Sequence, residues 1–230
     1  MKKISLLYFL ILPVFVFGQN YKVPQNLPNY DRKTIHFGFL IGLNSLDFKI
    51  KQNPNQNESL FVLKSQDQKG FNMGVITNVR LNYNADLRIL PTLSLSERKI
   101  SYTINENNIS IEELKTIEST FIEFPVAIKF KSERYNNVRT YILSGLKYSL
   151  DLASLRNIND EGLELVKLKQ NDISYEVGLG LDFYLAYFKF AVEMKGTFGL
   201  LNLIKEDNSI YSNSIESLHS RGFTVTFTFE

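Results

Sequence analysis

The sequence predicts an all-β fold, an eight-stranded antiparallel transmembrane β-barrel with short periplasmic turns and long extracellular loops. Three observations predict it. Eight segments alternate apolar and polar residues with a period of two, which is typical of strands with two unlike faces. The connections between them alternate between long and short, as in outer-membrane barrels. The chain also begins with an apolar segment that is typical of exported proteins.

The N-terminal segment has the composition of a secretory signal peptide. Two lysines precede an apolar run from Ile4 to Phe17, and Gly18 places a small residue before the expected cleavage point. The run is shorter than the ~20 residues that a membrane-spanning helix needs, and a proline interrupts it. We therefore expect a signal peptide over residues 1–18, an extended periplasmic leader over 19–33 and the barrel over 34–230.

The first four strand segments carry an apolar residue at every second position. They cover residues 35–44, 71–81, 86–100 and 120–130. The third and fourth contain Pro91 and Pro125, which cannot donate a ladder hydrogen bond. Because a closed barrel has no edge strand to accommodate a proline, we expect bulges or strand ends at both positions, with a local slip of one residue in the side-chain facing.

The last four segments repeat the alternation, and the final one has three phenylalanines on one face. They cover residues 138–148, 173–183, 188–198 and 220–230. Short polar turns are expected at 82–85, 132–137 and 185–186, and long links at 47–70, 101–119, 151–171 and 202–219. Within the links, residues 111–117 are predicted to form a helical turn, and residues 163–168 are predicted to prolong a hairpin.

The apolar face is predicted to point outward to lipid, because the opposite face carries charges of both signs and many glycines. Small residues and paired charges suit the narrow interior of an eight-stranded barrel. The inward charged residues are expected to form a structural network, to which a proton relay is the alternative. They are Arg80, Arg88, Glu123, Lys129, Arg139, Lys147, Glu176, Asp182, Lys189, Glu193 and Lys195. A soluble lipocalin-like barrel, with its apolar face inside, is the alternative architecture.

The composition excludes several function classes. The chain has no cysteine, and its formal net charge of +2 is too small to predict nucleic acid as a partner. We predict no cofactor and no metal, since the acidic residues lack metal-site spacing. His36 is interpreted as an interior hydrogen-bonding group. The remaining enzymatic alternative is His219 beside Ser217 or Ser220, with Asp207; we predict that the protein is not an enzyme.

Three stretches resemble the PorT family. They are DRKTIHFGFLIGLNSLDFKI (31–50), LRILPTLSLSERKISY (87–102) and STFIEFPVAIKFKSERYNNVRTYILSGLKYSLDLAS (119–154). The resemblance implies an outer-membrane barrel associated with type IX protein secretion and gliding motility, with other secretion-system proteins as partners and no catalytic residues. The aromatic C-terminal strand also predicts recognition by the barrel-assembly machinery. A porin-like barrel with a passive or adhesin role is the alternative function.

Overall fold

The computed structural model describes six stretches of the chain. They are residues 24–53, 60–66, 68–106, 109–152, 168–205 and 215–230. The predicted signal peptide and the start of the leader lie outside them. No helix within these six stretches is long and apolar enough to cross a bilayer.

One short 3₁₀ helix, Tyr30–Arg32, precedes ten antiparallel strands. The strands are β1 (Ile35–Gln52), β2 (Leu60–Gln66), β3 (Gln68–Arg80), β4 (Ala85–Ile89), β5 (Thr92–Glu106), β6 (Ile109–Lys131), β7 (Val138–Asp151), β8 (Asn171–Tyr184), β9 (Lys189–Gly199) and β10 (Ile215–Phe229).

The strands close into a ring. β1 pairs with both β10 and β3, and the neighbours from β10 back to β6 follow in sequence order. β4 and β5 lie end to end between β3 and β6, while β2 pairs with β5 beyond the point where β3 begins. The ten strands therefore occupy eight positions in the ring, which confirms the predicted eight-stranded barrel.

The ring has two unlike ends. β3 and β4, β6 and β7, and β8 and β9 are joined by short turns at one end, which we call the short-turn mouth. The connections that follow β1, β5, β7 and β9 lie at the other end, the long-loop mouth. Because antiparallel neighbours alternate in direction, the segment before β1 and the end of β10 also lie at the short-turn mouth.

The link predicted at 101–119 is wrong, because this region is a strand hairpin. β5 and β6 pair continuously from Thr92 opposite Glu123 to Glu106 opposite Ile109, so no helical turn forms at 111–117. β6 has 23 residues, whereas a tilted membrane crossing needs only ~9–11. The hairpin therefore extends beyond the membrane. Outside the membrane, neither face of a strand contacts lipid, so the outward residues need not be apolar. The sequence of this hairpin therefore lacks the apolar alternation on which the strand prediction depended.

The other predicted links are also shorter than expected. β1 continues to Gln52 and β2 begins at Leu60, so most of the link at 47–70 is strand. β10 begins at Ile215, inside the link predicted at 202–219. Residues 163–167 of the proposed hairpin extension lie outside the described residues, and Leu168 forms a single bridge with Ile204.

The two prolines lie on neighbouring strands, one position apart in register, and the predicted slip in facing is wrong at both. Pro91 separates β4 from β5, so the expected strand end is confirmed, but both strands keep the same register against β6. Pro125 lies inside β6 without a bulge. Its carbonyl accepts the Leu90 N–H, and the Leu90 carbonyl, which faces the missing proline donor, accepts the Thr92 hydroxyl at 2.7 Å. This substitute bond lets the ladder continue past the prolines.

The side chains face as predicted. On the membrane-crossing part of each strand, most outward positions are apolar and at least partly exposed, with Phe37 72% and Leu43 62% exposed. The intervening positions are buried and include fully buried charges such as Arg88 and Lys129. An exposed apolar belt around a charged interior is the arrangement of a barrel in lipid, and it excludes the soluble lipocalin-like alternative.

Candidate functional site in the barrel interior and at its mouths

A chain of ion pairs fills the interior next to the short-turn mouth. Arg88 on β4 binds Glu193 on β9, and its other terminal nitrogen lies 3.3 Å from a carboxylate oxygen of Glu230. Lys189 donates to the second oxygen of Glu230 at 3.0 Å. All four side chains are almost completely buried. Buried charges of this kind are stable only when paired, so the pairs connect β4, β9 and the residue that follows β10 across the barrel.

A second part of this network is centred on Lys129. Its ammonium group donates to both carboxylate oxygens of Asp182, at 2.8 and 2.9 Å, and lies 3.6 Å from the centre of the Tyr141 ring. The Tyr141 hydroxyl donates to Glu193 at 2.7 Å, which joins this part to Arg88. Gly180 makes room for the ring, because a Cβ there would overlap Tyr141.

Three further members were not among the predicted network residues. Lys131 donates to Asp86 at 2.6 Å, and Glu230 binds Lys189 and Arg88. Each lies two positions from a buried inward residue, namely Lys129, Arg88 and Thr228. Continuing the alternation by one more step on β4, β6 and β10 would have identified them. We call the eight residues on this side the short-turn network: Asp86, Arg88, Lys129, Lys131, Asp182, Lys189, Glu193 and Glu230.

A smaller group lies toward the long-loop mouth. Lys147 on β7 donates to Glu123 at 2.9 Å and lies 3.4 Å from Glu176. Glu176 also accepts the Thr197 hydroxyl at 3.1 Å. We call Lys147, Glu123 and Glu176 the long-loop triad. Lys195 lies between the two groups, 3.9 Å from Glu193.

The structure buries ten of the eleven predicted interior charges. The exception is Arg80, which lies at the end of β3 and is partly exposed, where its side chain donates to the Asn82 carbonyl at 3.4 Å. The prediction is wrong for this residue. Arg80 is the last residue of β3, so its side chain lies at the rim of the barrel even though the alternation places it on the inward face. Arg139 is buried but its ionic partner, Asp31, comes from the leader rather than from a strand.

The leader is not extended over its described part, and it covers the short-turn mouth. The Tyr30 ring stacks on His36 with centroids 4.1 Å apart, and His36 Nε2 donates to the Tyr30 carbonyl at 2.7 Å. The Tyr30 hydroxyl donates to Glu230 at 3.3 Å. Burial raises the pKa of the Tyr30 phenol, so it remains a neutral donor. His36 is thus buried and hydrogen-bonded, as its interpretation as an interior group predicted, but sequence alternation could not reveal that its partner is the leader.

Polar contacts fix the rest of the leader. The Asp31 carboxylate lies 3.3 Å from Arg139 and accepts the Tyr184 hydroxyl at 2.9 Å. Asn26 donates to Asn137 from its backbone and to the Tyr184 carbonyl from its side chain. These contacts connect the leader to β7, β8 and the turn before β7. The leader therefore packs onto the mouth as a cover.

The long-loop mouth is covered differently. An apolar cluster packs Phe48 on β1 and Leu218 on β10 against the segment that follows β9. Its other buried members are Leu203, Ile204 and Ile215. Beside the long-loop triad lies a recess of about 30 Å³ with a mixed lining that includes Glu123 and Lys147, and it has room for about two water molecules. In the described part of the chain, this recess is too small to act as an aqueous passage.

The structure brings only part of the enzymatic alternative together, because Ser217 lies two positions from His219 on β10 and shares its face of the strand. His219 and Ser220 are consecutive on β10, so their side chains point to opposite sides of the strand, and Ser220 donates to Asp172 instead. Asp207 lies outside the described residues. Within the described stretches there is also no group of three or more histidine or acidic residues that could hold a metal.

Comparisons with known proteins agree with this architecture. A family model described as an outer membrane protein β-barrel domain matches residues 17–205. No curated protein matches the chain.

Several solved structures are similar. Neisserial surface protein A (NspA) is 8% identical, with 85% of this chain and 98% of that chain covered and a TM-score of 0.44. Ail, the attachment invasion locus protein of Yersinia pestis, is 11% identical, with 86% and 98% covered and a TM-score of 0.34. OprG from Pseudomonas aeruginosa is 11% identical, with 84% and 93% covered and a TM-score of 0.38.

The family match and the geometry lead to one conclusion. The matched region contains most of the ring, and the exposed belt has the apolar composition that lipid contact requires. The chain belongs to the outer membrane protein β-barrel domain family, and it resides in the outer membrane with its apolar belt against lipid.

Proposed function

We propose that the protein is a non-enzymatic component of the type IX secretion machinery and that it acts through contacts with other secretion proteins. The observation that carries the proposal is the filled barrel. Ion pairs occupy the interior next to the short-turn mouth, the leader covers that mouth, and a recess of about 30 Å³ lies among the described residues at the other end. A barrel filled in this way acts through its surfaces. The PorT-like stretches supply the specific system.

The outer surface of the leader is the proposed contact with periplasmic partners. Short turns of outer-membrane barrels face the periplasm, so the leader lies on that side. Its inward residues hold it against the barrel, while Pro24, Gln25, Pro28 and Asn29 are exposed. A segment that is already ordered loses little conformational entropy when a partner binds to it.

Gene deletion tests the role directly. We expect the deletion strain to lose most of its type IX cargo from the culture medium, and wild-type protein to restore it. A variant with Gln25→Glu and Asn29→Arg on the exposed leader surface keeps the net charge, and it should insert normally in the outer membrane yet restore secretion poorly. Unchanged secretion in the deletion strain would rule out the proposed role.

Two further measurements address the alternative functions, a passive channel and an adhesin. Purified protein in a planar bilayer should show no steady current, and a stable open conductance would support a passive channel instead. An adhesin role is favoured by the β5–β6 hairpin, which extends far beyond the membrane. If deletion abolished surface attachment and left secretion intact, the adhesin role would replace the secretion role.

A further inference from the structure

The outer rim of the barrel is chemically asymmetric. At the long-loop end, three exposed cations lie just above the apolar belt on the neighbouring strands β3, β1 and β10. They are Lys69, Lys49 and Arg221. At the same height, β9 and β8 carry exposed aromatic side chains instead, because Arg221 pairs with Phe198 and Phe198 pairs with Tyr175.

The three cations point toward the lipid side of the wall. Residues two apart on a strand share a face, and Lys69 follows the outward parity of Phe71 while Arg221 follows that of Phe223. Lys49 continues the outward positions of β1 above Leu43. Each cation therefore emerges beyond the end of a lipid-facing row, at the height of the lipid headgroups.

The cations are close enough to share one ligand. Lys49 lies opposite His219 and Arg221 lies opposite Asp47, so Lys49 and Arg221 are diagonal neighbours across β1 and β10. Such neighbours are separated by ~7–8 Å, within reach of long side chains. Lys69 approaches from the other side of β1, opposite Ser45.

One acidic group lies among these cations. Asp47 lies opposite Arg221 and two positions from Lys49, so it shares their face, and it also accepts the backbone N–H of Phe48 at 2.7 Å. Lys51 forms an exposed ion pair with Glu216 at 2.7 Å. Within the described residues, Lys49, Lys69 and Arg221 form no ion pair, so the three cations outnumber the one carboxylate and leave positive charge for an external anion.

We propose that Lys49, Lys69 and Arg221 form a binding site for the phosphorylated headgroup of an outer-leaflet glycolipid. The site combines an apolar row for the acyl chains with two lysines and an arginine for phosphate, and arginine can bind phosphate oxygens in a bidentate manner. A soluble anion would use the cations and not the apolar row beneath them. The neighbouring strands β9 and β8 carry Phe198 and Tyr175 at this height instead of cations. The glycolipid headgroup is therefore expected to bind on one side of the barrel, at β3, β1 and β10.

Lipid-resolved native mass spectrometry tests the site. The full-length mature protein is equilibrated in neutral detergent with phosphorylated lipid A or with enzymatically dephosphorylated lipid A. We expect clear retention of the phosphorylated form and little of the other. Because each cation near an anionic surface strengthens binding roughly fivefold, the variant Lys69→Gln/Arg221→Gln should weaken retention about 25-fold.

A matched double variant controls for the loss of charge. Arg32→Gln/Lys33→Gln removes two exposed cations from the opposite end of the molecule and should keep full retention. Circular dichroism confirms that each variant is folded. Equal retention of both lipid forms by the wild-type protein would overturn the site, and so would full retention by Lys69→Gln/Arg221→Gln or equal losses in the two double variants.

Discussion

The two ends of the barrel interior hold their buried charges in different ways. The short-turn network contains eight charged residues on several strands, and its central members, Arg88 and Lys129, are completely buried. The long-loop triad has three members, and it borders a recess large enough for water. The two groups have similar chemistry but differ in their access to solvent.

This difference predicts where substitutions of buried charges reduce the stability of the barrel most. A charge that loses its partner in a dry interior has no replacement partner, and the cost is large. A charge beside a hydrated recess can be satisfied by water, which is nearly as good a hydrogen-bond partner as a protein group. We therefore expect equivalent substitutions in the two groups to have unequal effects on stability.

The largest effect is expected for Lys129→Met in the short-turn network. Asp182 would lose both hydrogen bonds from the ammonium group and remain buried. The free energy of unfolding should fall by ~3–5 kcal/mol, measured by urea unfolding in lipid vesicles. The double variant Lys129→Met/Asp182→Leu should recover most of the loss, since no unpaired charge then remains. A double variant no more stable than the single one would contradict this explanation.

A smaller effect is expected for Lys147→Met in the long-loop triad. Glu123 and Glu176 would lose their shared cation, but water in the recess and the Thr197 hydroxyl can still donate to them. We expect a loss of about 1–3 kcal/mol under the same conditions. If Lys147→Met and Lys129→Met were equally destabilising, solvent access would not be the relevant difference between the two ends.

The smallest effect is expected for Tyr30→Ala in the leader. The change removes the stack on His36 and the hydrogen bond to Glu230 but leaves the ring of strands intact. An aromatic pair contributes ~0.5–1.5 kcal/mol, so the loss should be about 1 kcal/mol. Limited proteolysis should also release the leader faster in this variant. Gln25→Ala, on the exposed side, serves as the control and should match the wild-type protein in both measurements.

Much of this architecture could be predicted from the sequence, because lipid imposes a strict alternation on every membrane-crossing strand. The belt from Phe37 to Leu43 and the inward positions of Arg88 and Lys129 follow from parity alone. The alternation of inward and outward residues does not show where a strand ends at the rim of the barrel. For this reason the prediction places Arg80 inside the barrel and omits Glu230 from the interior network. The alternation also gives no information outside the membrane, where β6 continues as a strand without an apolar face.

The contacts of the leader could not be predicted for a different reason. Tyr30, Asp31 and Asn26 have no periodic pattern, and their partners lie more than 100 residues away for Asn26 and Asp31. Only closure of the ring brings these partners together. A single sequence can show that a segment is polar and contains prolines, but it cannot show which mouth that segment will cover.

The surface that binds the leader, which we call its seat, has a consequence for biogenesis. Its contacts come from β1, β7, β8 and the residue that follows β10, so the seat exists only after the first and last strands have paired. In a nascent barrel that is still open at this seam, Tyr30 lacks Glu230 beside it, and the β7 and β8 partners of Asp31 have not been brought to the leader. Docking of the leader therefore marks a completed barrel, and a protease in the periplasm would distinguish finished molecules from unfinished ones at this segment.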